Sequence, residues 1–169
     1  MKKRRTRILL LLALFACLAG CANQRPEPET TAQRAAIGNP WSQWASLEEA
    51  EAAVGFSFGL PEVISGHYTA EAYRTLNNEL LEVIYRDGDF EVRVRKQKGE
   101  GQDISGDYNQ YDTCTEYPFG SGTLTNYHNT GSPALKQVIS CDGYCWSLTA
   151  PDGYWGDSNA DFLNRILEQ

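Results

Sequence analysis

The segment 80–97, LLEVIYRDGDFEVRVRKQ, constrains the chain more than any other. Leu81, Val83 and Tyr85 occupy alternate positions before Asp87-Gly88, and Phe90, Val92 and Val94 alternate after it. A period of two fits a half-buried strand, and Asp-Gly between two such runs predicts a two-residue hairpin turn. A turn centred on Asp87-Gly88 sets Tyr85 opposite Phe90 and Val83 opposite Val92. Both strands then show their apolar residues to one face, and Glu91, Arg93 and Arg95 lie toward solvent or a polar sheet edge. An antiparallel sheet covered on one side is the simplest host for such a hairpin.

Further runs extend the sheet. FSFGLP (56–61), HYTAEAYRTL (67–76), TCTEYPF (113–119), TLTNYH (123–128), ALKQVIS (134–140) and YCWSLTA (144–150) all read as strands. Gly120-Ser121-Gly122, Asn129 to Ser132 and Asp142-Gly143 punctuate the later ones. Trp41 and Trp44 lead into a short helix that opens on the capping box Ser46-Leu47-Glu48-Glu49 and stops at Gly55, with Leu47, Ala50 and Val54 on its apolar side. A last helix starts near Ser158 as N-cap with Asp161 at its third position, and Phe162, Leu163, Ile166 and Leu167 form its stripe. The expected class is α+β: an antiparallel sheet of six to eight strands with a short N-terminal helix and a C-terminal helix.

The N-terminus is a different kind of signal. Lys2, Lys3, Arg4, Arg5 and Arg7 precede an apolar run from Ile8 to Ala19, which ends in Leu18-Ala19-Gly20-Cys21. The run is short for a membrane span, which needs about 20 apolar residues. It has the charged start and apolar centre of a secretory signal. Arg7 stands where a twin-arginine signal wants a large apolar residue, so the general secretory route is expected. The Leu-Ala-Gly-Cys ending resembles the lipobox of bacterial lipoproteins. That resemblance implies cleavage between Gly20 and Cys21 and a diacylglycerol on the Cys21 thiol. The expected division is a signal peptide at 1–20, a lipidated tether at 21–39 rich in proline, threonine and charge, and one domain at 40–169. The implied location is the extracytoplasmic face of the membrane.

Removing the signal takes five basic residues and no acidic ones, so the net charge falls from −7 to −12. An acidic domain of this kind excludes nucleic acid as a partner, because phosphate binding needs a basic patch. It also disfavours lying flat on anionic lipid. The expected partner is therefore the membrane through the lipid anchor, with the domain itself a monomer and its protein or small-molecule partner undefined.

Cys114, Cys141 and Cys145 remain in the domain. Cys141 and Cys145 face each other if their connecting loop has three residues. They fall on opposite faces if Asp142-Gly143 alone is the turn, which aligns Ile139 with Trp146. A 141–145 bridge, a bridge to Cys114 and free thiols all stay open. Zinc on the three cysteines and His128 lacks any paired CxxC spacing, so no metal site and no cofactor is expected. With only His67 and His128, and no G-x-S-x-G, HExxH or P-loop, no catalytic residue is assigned. A pairing of Cys114 or Cys145 with His128 is decided only in space. Glu116, Asp152 and Asp157 are nominal acid–base candidates. Tyr68, Tyr73, Tyr108, Tyr111, Tyr117, Tyr127, Tyr154 and Trp155 read as sheet packing in preference to a binding platform.

The segment 101–114, GQDISGDYNQYDTC, offers Asp103, Ser105, Asp107, Asn109 and Asp112 as cation ligands. It lacks the bidentate glutamate at the twelfth position of a calcium loop. The expected role is a structural crossover, with its acids against the basic end of the preceding strand (Arg93, Arg95, Lys96, Lys98) and Tyr108 and Tyr111 pinning it to the sheet.

Three strings, NPWSQWASLEEAEAAVGFSFGLPEVI, LEVIYRDGDFEVRVRKQKGEGQDISGDYNQY and DGYCWSLTA, occur in that order before the closing helix. Together they resemble a group of uncharacterised bacterial surface lipoproteins. The domain of that group is similar to a domain of unknown function at the C-termini of sporulation proteins resembling lipoprotein carriers and of membrane-bound anti-sigma factors. The resemblance covers about residues 39 to 169 and implies no catalytic residue. The functional expectation is a lipid-anchored, non-catalytic binding or sensing module. A surface hydrolase of cell-wall or sugar polymers and a carrier of a lipidic ligand are the alternatives.

Overall fold

The computed structural model describes residues 39–150 and 158–168. The leader with Gly20 and Cys21, the tether up to residue 38, and the 151–157 connection with Asp152, Tyr154, Trp155 and Asp157 lie outside the described residues, as do the side chains of Ser158 and Asp161. The chain forms β1 (Trp41–Trp44), α1 (Leu47–Val54), β2 (Val63–Ile64), β3 (Tyr68–Leu76), β4 (Leu80–Asp87), β5 (Phe90–Lys98), β6 (Thr113–Phe119), β7 (Gly122–His128), β8 (Lys136–Cys141), β9 (Tyr144–Thr149) and α2 (Ser158–Leu167). The sheet is antiparallel throughout, in the order β1-β3-β4-β5-β9-β8-β7-β6 with β2 beside β3. Among the described residues no helix is long and apolar enough to cross a membrane.

The α+β class stands, but the sheet has nine strands where six to eight were expected. WSQW, read only as the approach to a helix, is the strand β1, and the two-residue β2 had no legible pattern. FSFGLP is no strand. Phe56, Phe58 and Leu60 are nevertheless buried at alternate positions. Side chains stand in for a neighbouring strand there: Glu51 Oε1 accepts from the Phe58 amide at 2.6 Å, and Lys96 Nζ donates to the Ser57 carbonyl at 2.7 Å. Backbone groups leaving water must find such partners.

Helix α1 follows its sequence signals closely. Ser46 Oγ accepts from the Glu49 amide at 3.2 Å, Glu49 Oε2 accepts from the Ala45 amide at 3.1 Å, and Gly55 closes the last turn with its N–H on the Glu51 carbonyl at 2.8 Å. Ala50 and Val54 enter the core, and Leu47 packs at its margin.

The β4–β5 hairpin is displaced from the expected register. Asp87 pairs with Phe90, Tyr85 with Val92 and Val83 with Val94, so Gly88-Asp89 is the turn. The slip moves each partner by two residues. Because the side-chain period is also two, the faces are unchanged.

The inner face, under α1 and α2, carries Leu81, Val83, Tyr85, Val92, Val94, Ile139, Trp146 and Leu148, packed with Phe58 and with Phe162 and Ile166 of α2. Leu167, expected in the same stripe, is about half exposed. At the β8–β9 turn, Asp142 and Gly143 both take positive φ (52° and 78°), as a type I′ turn requires. This fixes Ile139 opposite Trp146 and Ser140 opposite Cys145. Cys141 therefore joins the inner core, while Cys145 joins a small outer cluster with Leu80 and Ile104. A 141–145 bridge does not form, and a bridge to Cys114 does not form either. All three thiols are free, with Cys114 exposed on edge strand β6.

The position of β6 creates the remaining feature. It lies at the sheet edge, separated from β5 by three strands, so residues 99–112 must cross the outer face over β9, β8 and β7.

Candidate functional site

Alternation from the β4–β5 turn assigns Glu82, Glu91, Arg93 and Arg95 to the outer face, opposite the apolar core. Glu82 is fully buried there. It accepts from Arg74 and, at 2.7 Å, from Arg95 Nε. Trp41 lies over both guanidinium groups, 5.0 Å from Arg74 and 5.1 Å from Arg95. Two cations around one carboxylate leave this patch net positive within an acidic domain. Next to it, Glu91 accepts from Arg86 and Arg93.

The crossover is laid onto this face by three attachments. At its start, Gly101 N donates to Ser140 Oγ at 3.0 Å and Gln102 N to Cys145 Sγ at 3.3 Å. In its middle, Ile104 fills the small apolar cluster, and its carbonyl accepts from Arg95 Nη1 at 3.0 Å. At its end, buried Lys136 of β8 donates to Asp103 at 3.0 Å and to the Asp107 carbonyl at 3.4 Å, with its ammonium 4.1 Å from the Tyr127 ring centre. Burial opposes ionisation of Asp103, but hydrogen bonds from Ser105 and Lys136 win, so its carboxyl stays below the usual range.

The alternation Asp103, Ser105, Asp107, Asn109 is turn chemistry. Asp103 accepts from the Ser105 amide, Ser105 Oγ from the Asp107 amide and Asp107 from the Asn109 amide, at 2.9, 3.1 and 2.9 Å. Each side chain caps the amide two residues on, the geometry that makes Asx and Ser turns. The second oxygen of Asp107 accepts from Tyr111 Oη, and Asp112 accepts from the Thr130 amide at 3.1 Å. The candidate calcium ligands thus look to separate amides. Among the described residues no three metal-ligating side chains converge. The acids reach β8 more than the basic end of β5. Tyr111 packs on Tyr127 with ring centres 5.9 Å apart and pins the loop, whereas Tyr108 is 94% exposed and pins nothing. Burial and the Asp107 carboxylate push the Tyr111 phenol up to about 12, so it remains a donor at neutral pH.

Between the crossover and the sheet lies a cleft of about 420 Å³. Its cationic wall is Arg93 and Arg95 of β5, its amide groups are Asn109, Gln110 and Asn129, and Tyr111 and Leu135 supply apolar surface. This volume is in the range of small-molecule pockets. Gly106 forms the lid's closest approach: at φ +62°, an added Cβ would stand 2.3 Å from Arg95 Nη1. Arg95 spends Nε on Glu82 and one Nη1 bond on Ile104, and Arg93 spends Nε on Glu91. Each guanidinium has five N–H groups, so both retain donors at the cleft. Ser147, beside Arg95 on β9, is buried with its Oγ unpartnered.

The other sequence candidates do not assemble. Cys114 pairs with Tyr127 and His128 with Thr113, so Cys114 and His128 project to opposite faces. Cys145 shares the outer face and is likewise separated from His128. Glu116 is exposed on the edge strand β6. Tyr68 is core, Tyr117 is exposed, and the described tyrosines form no continuous platform. Alternation placed Arg93 and Arg95 on one polar face with Glu91 but did not mark them as a site. Asn129, Leu135 and Thr149 reach the cleft only through sheet order and had no local signal. Comparison of the chain with protein-family models, with curated proteins and with solved structures finds no match.

Proposed function

We propose that the chain is a lipid-anchored, non-catalytic binding module on the extracytoplasmic face of the membrane. In this reading its domain, 40–169, is monomeric and takes its ligand in the cleft beneath the 99–112 crossover. The observation that carries the reading is the pair of guanidinium groups, Arg93 and Arg95, set with three amide side chains in one cleft. Binding sites combine concavity with a few convergent polar groups in this way. The lipobox ending in Cys21 supports the anchoring half, since two or more acyl chains hold a protein stably on a membrane.

The alternatives draw less support. Glycoside hydrolysis needs two carboxyl groups about 5–10 Å apart across the scissile bond. Among the described residues Asp107 is the single acid lining the cleft, and hydrogen bonds from the Asn109 amide and Tyr111 Oη reach its two oxygens. A lipid carrier needs an apolar cavity, and a wall of guanidinium and amide groups is a poor host for an acyl chain.

Two measurements test the two halves. Mass spectrometry of the membrane-extracted protein is expected to find an N-terminus at Cys21 carrying the mass of a diacylglycerol. An N-terminus elsewhere, or an unmodified Cys21, would refute anchoring through Cys21. A thermal-shift screen of small polar compounds on the full chain is expected to find binders whose effect is lost in Arg93→Gln. A screen in which no compound raises the melting temperature would refute the cleft as a ligand site.

A further inference from the structure

Resting on that reading of the cleft, we infer that its ligand is a carboxylate-bearing sugar, a uronic-acid class monosaccharide or the corresponding end of a glycan. The argument starts from charge. Arg93 and Arg95 are each already matched by one carboxylate, Glu91 and Glu82, and Asp107 adds a further negative charge to the lining. Arg74 and Arg86 share those same two acids and Arg86 also pairs with Glu71, so the four guanidinium groups are balanced by Glu71, Glu82, Glu91 and Asp107. With no surplus to draw on, a monoanion held by the exposed end of Arg93 is disfavoured less than a dianionic phosphate.

The geometry of the donors agrees. Among the described lining residues none belongs to a helix N-terminus, and the charged donors there are the Arg93 and Arg95 side chains. What Arg93 offers is a planar fork that matches a carboxylate with two parallel N–H···O bonds. Its side chain is 41% exposed at the cleft, with its Nε committed to Glu91 and the outer end of the fork unengaged.

The rest of the lining suits a polyhydroxylated ring. Asn109, Gln110 and Asn129 each bring an acceptor oxygen and two N–H donors, the complement of vicinal hydroxyls that donate and accept. Tyr111 and Leu135 give apolar surface for the C–H face of a pyranose. A cleft of about 420 Å³ admits one or two sugar rings and excludes a longer folded segment. A neutral sugar would leave the Arg93 fork facing water without a partner. A single amino acid would satisfy the fork but bring only its ammonium to the three amides, fewer groups than a ring with several hydroxyls.

The test is calorimetry on the full-length lipoprotein in detergent micelles, titrated with D-glucuronate, D-galacturonate, D-glucose, D-galactose, inorganic phosphate and a short acetylated peptide with a free C-terminus. One or both uronates are expected to bind at least about tenfold more tightly than the matching neutral sugar, the scale of one charge-assisted bidentate contact. Arg93→Gln is expected to erase that preference while the melting temperature changes little, since its ion pair with Glu91 is partly solvated. Arg93→Lys is expected to restore it only in part, because the charge returns without the fork. Equal binding of uronate and neutral sugar, or a preference untouched by Arg93→Gln, overturns the assignment. Binding of phosphate or peptide that depends on Arg93, with no uronate binding, overturns the ligand class and leaves the cleft as a binding site. No binding by any of the six overturns both.

Discussion

Lys96 shows how one side chain can sit against the grain of its face. Its neighbours Arg95 and Gln97 point outward, so alternation carries Lys96 to the apolar side, where it is 5% exposed. Its ammonium donates to the carbonyls of Ser57 and Phe58 and lies 4.4 Å from the Trp146 ring centre and 4.5 Å from that of Tyr144. Loss of hydration lowers it from 10.5 to about 8, with the Glu51 carboxylate opposing. The unfolded chain keeps this proton up to about 10.5 and the folded one only to about 8, so between these values the unfolded state binds more protons. Stability from this group therefore rises with pH across that window, is fully penalised below it and is unpenalised above it. Urea unfolding of wild type and Lys96→Met is expected to show a free-energy difference that is flat from pH 6 to 8. It then shifts by about 3 kcal/mol in favour of wild type between about 8 and 10.5. A difference flat across the whole range would show that burial does not perturb Lys96. On the outer face Glu82 takes the complementary role. A fully buried carboxylate held by two guanidinium groups fixes Arg95 where the crossover and the cleft both need it.

Among the elements, the hairpins were legible to different depths. Asp142-Gly143 behaves as its residues dictate, with positive φ at both turn positions. Asp87-Gly88 reads the same in sequence, yet the turn is Gly88-Asp89. The shifted register puts Tyr85 opposite Val92 and Val83 opposite Val94, all four buried, and leaves Phe90 at the open hairpin end, 42% exposed. Gly88 takes positive φ (57°) at the first position of that turn, so the glycine-led alternative is also satisfied by local turn chemistry. The β6–β7 hairpin has a different constraint, steric crowding. A Cβ on Gly122 would stand 1.8 Å from the Ser140 carbonyl oxygen, and backbone of the neighbouring strand cannot step aside. Gly122→Ala is expected to lower unfolding stability by about 3 kcal/mol or more, read from the urea midpoint, since overpacking against backbone lies at the severe end of such changes. A loss below about 1 kcal/mol would mean that β7 and β8 lie farther apart than described.

Over the whole molecule, the strand order decides what is stable and what is exposed. β4, β5 and β9 are flanked on both sides, whereas β1 and β6 are edges. Pro118 and the exposed Glu116 blunt the β6 edge, as charged and proline-bearing edge strands resist pairing with other chains. Native-state hydrogen exchange is expected to rank amides of β4, β5 and β9 as slowest and those of β6 as the first strand to open. A β6 protected as well as β5 would show that its edge is covered. Sequence alone determined the class, most strand positions, the caps of α1 and the face of the apolar β4 and β5 residues. These follow from period, turn residues and first-turn hydrogen bonds, all set within a few positions of one another. Lys96, by contrast, is grouped in sequence with Arg93 and Arg95 but turns to the opposite face. The proposed leader and its Cys21 signal are likewise read from local patterns alone. Tertiary structure alone decided that β6 is an edge strand, that the crossover therefore spans the outer face, and that Arg93 and Arg95 meet Asn129 and Tyr111 in one cleft. It also settled the free thiols, because the 141–145 question turned on a register that the Ile139–Trp146 pairing and the surrounding core fixed. The physical reason is the same in each case. A strand's own side chains encode which way they point, but its neighbours are chosen by the packing energy of the entire sheet.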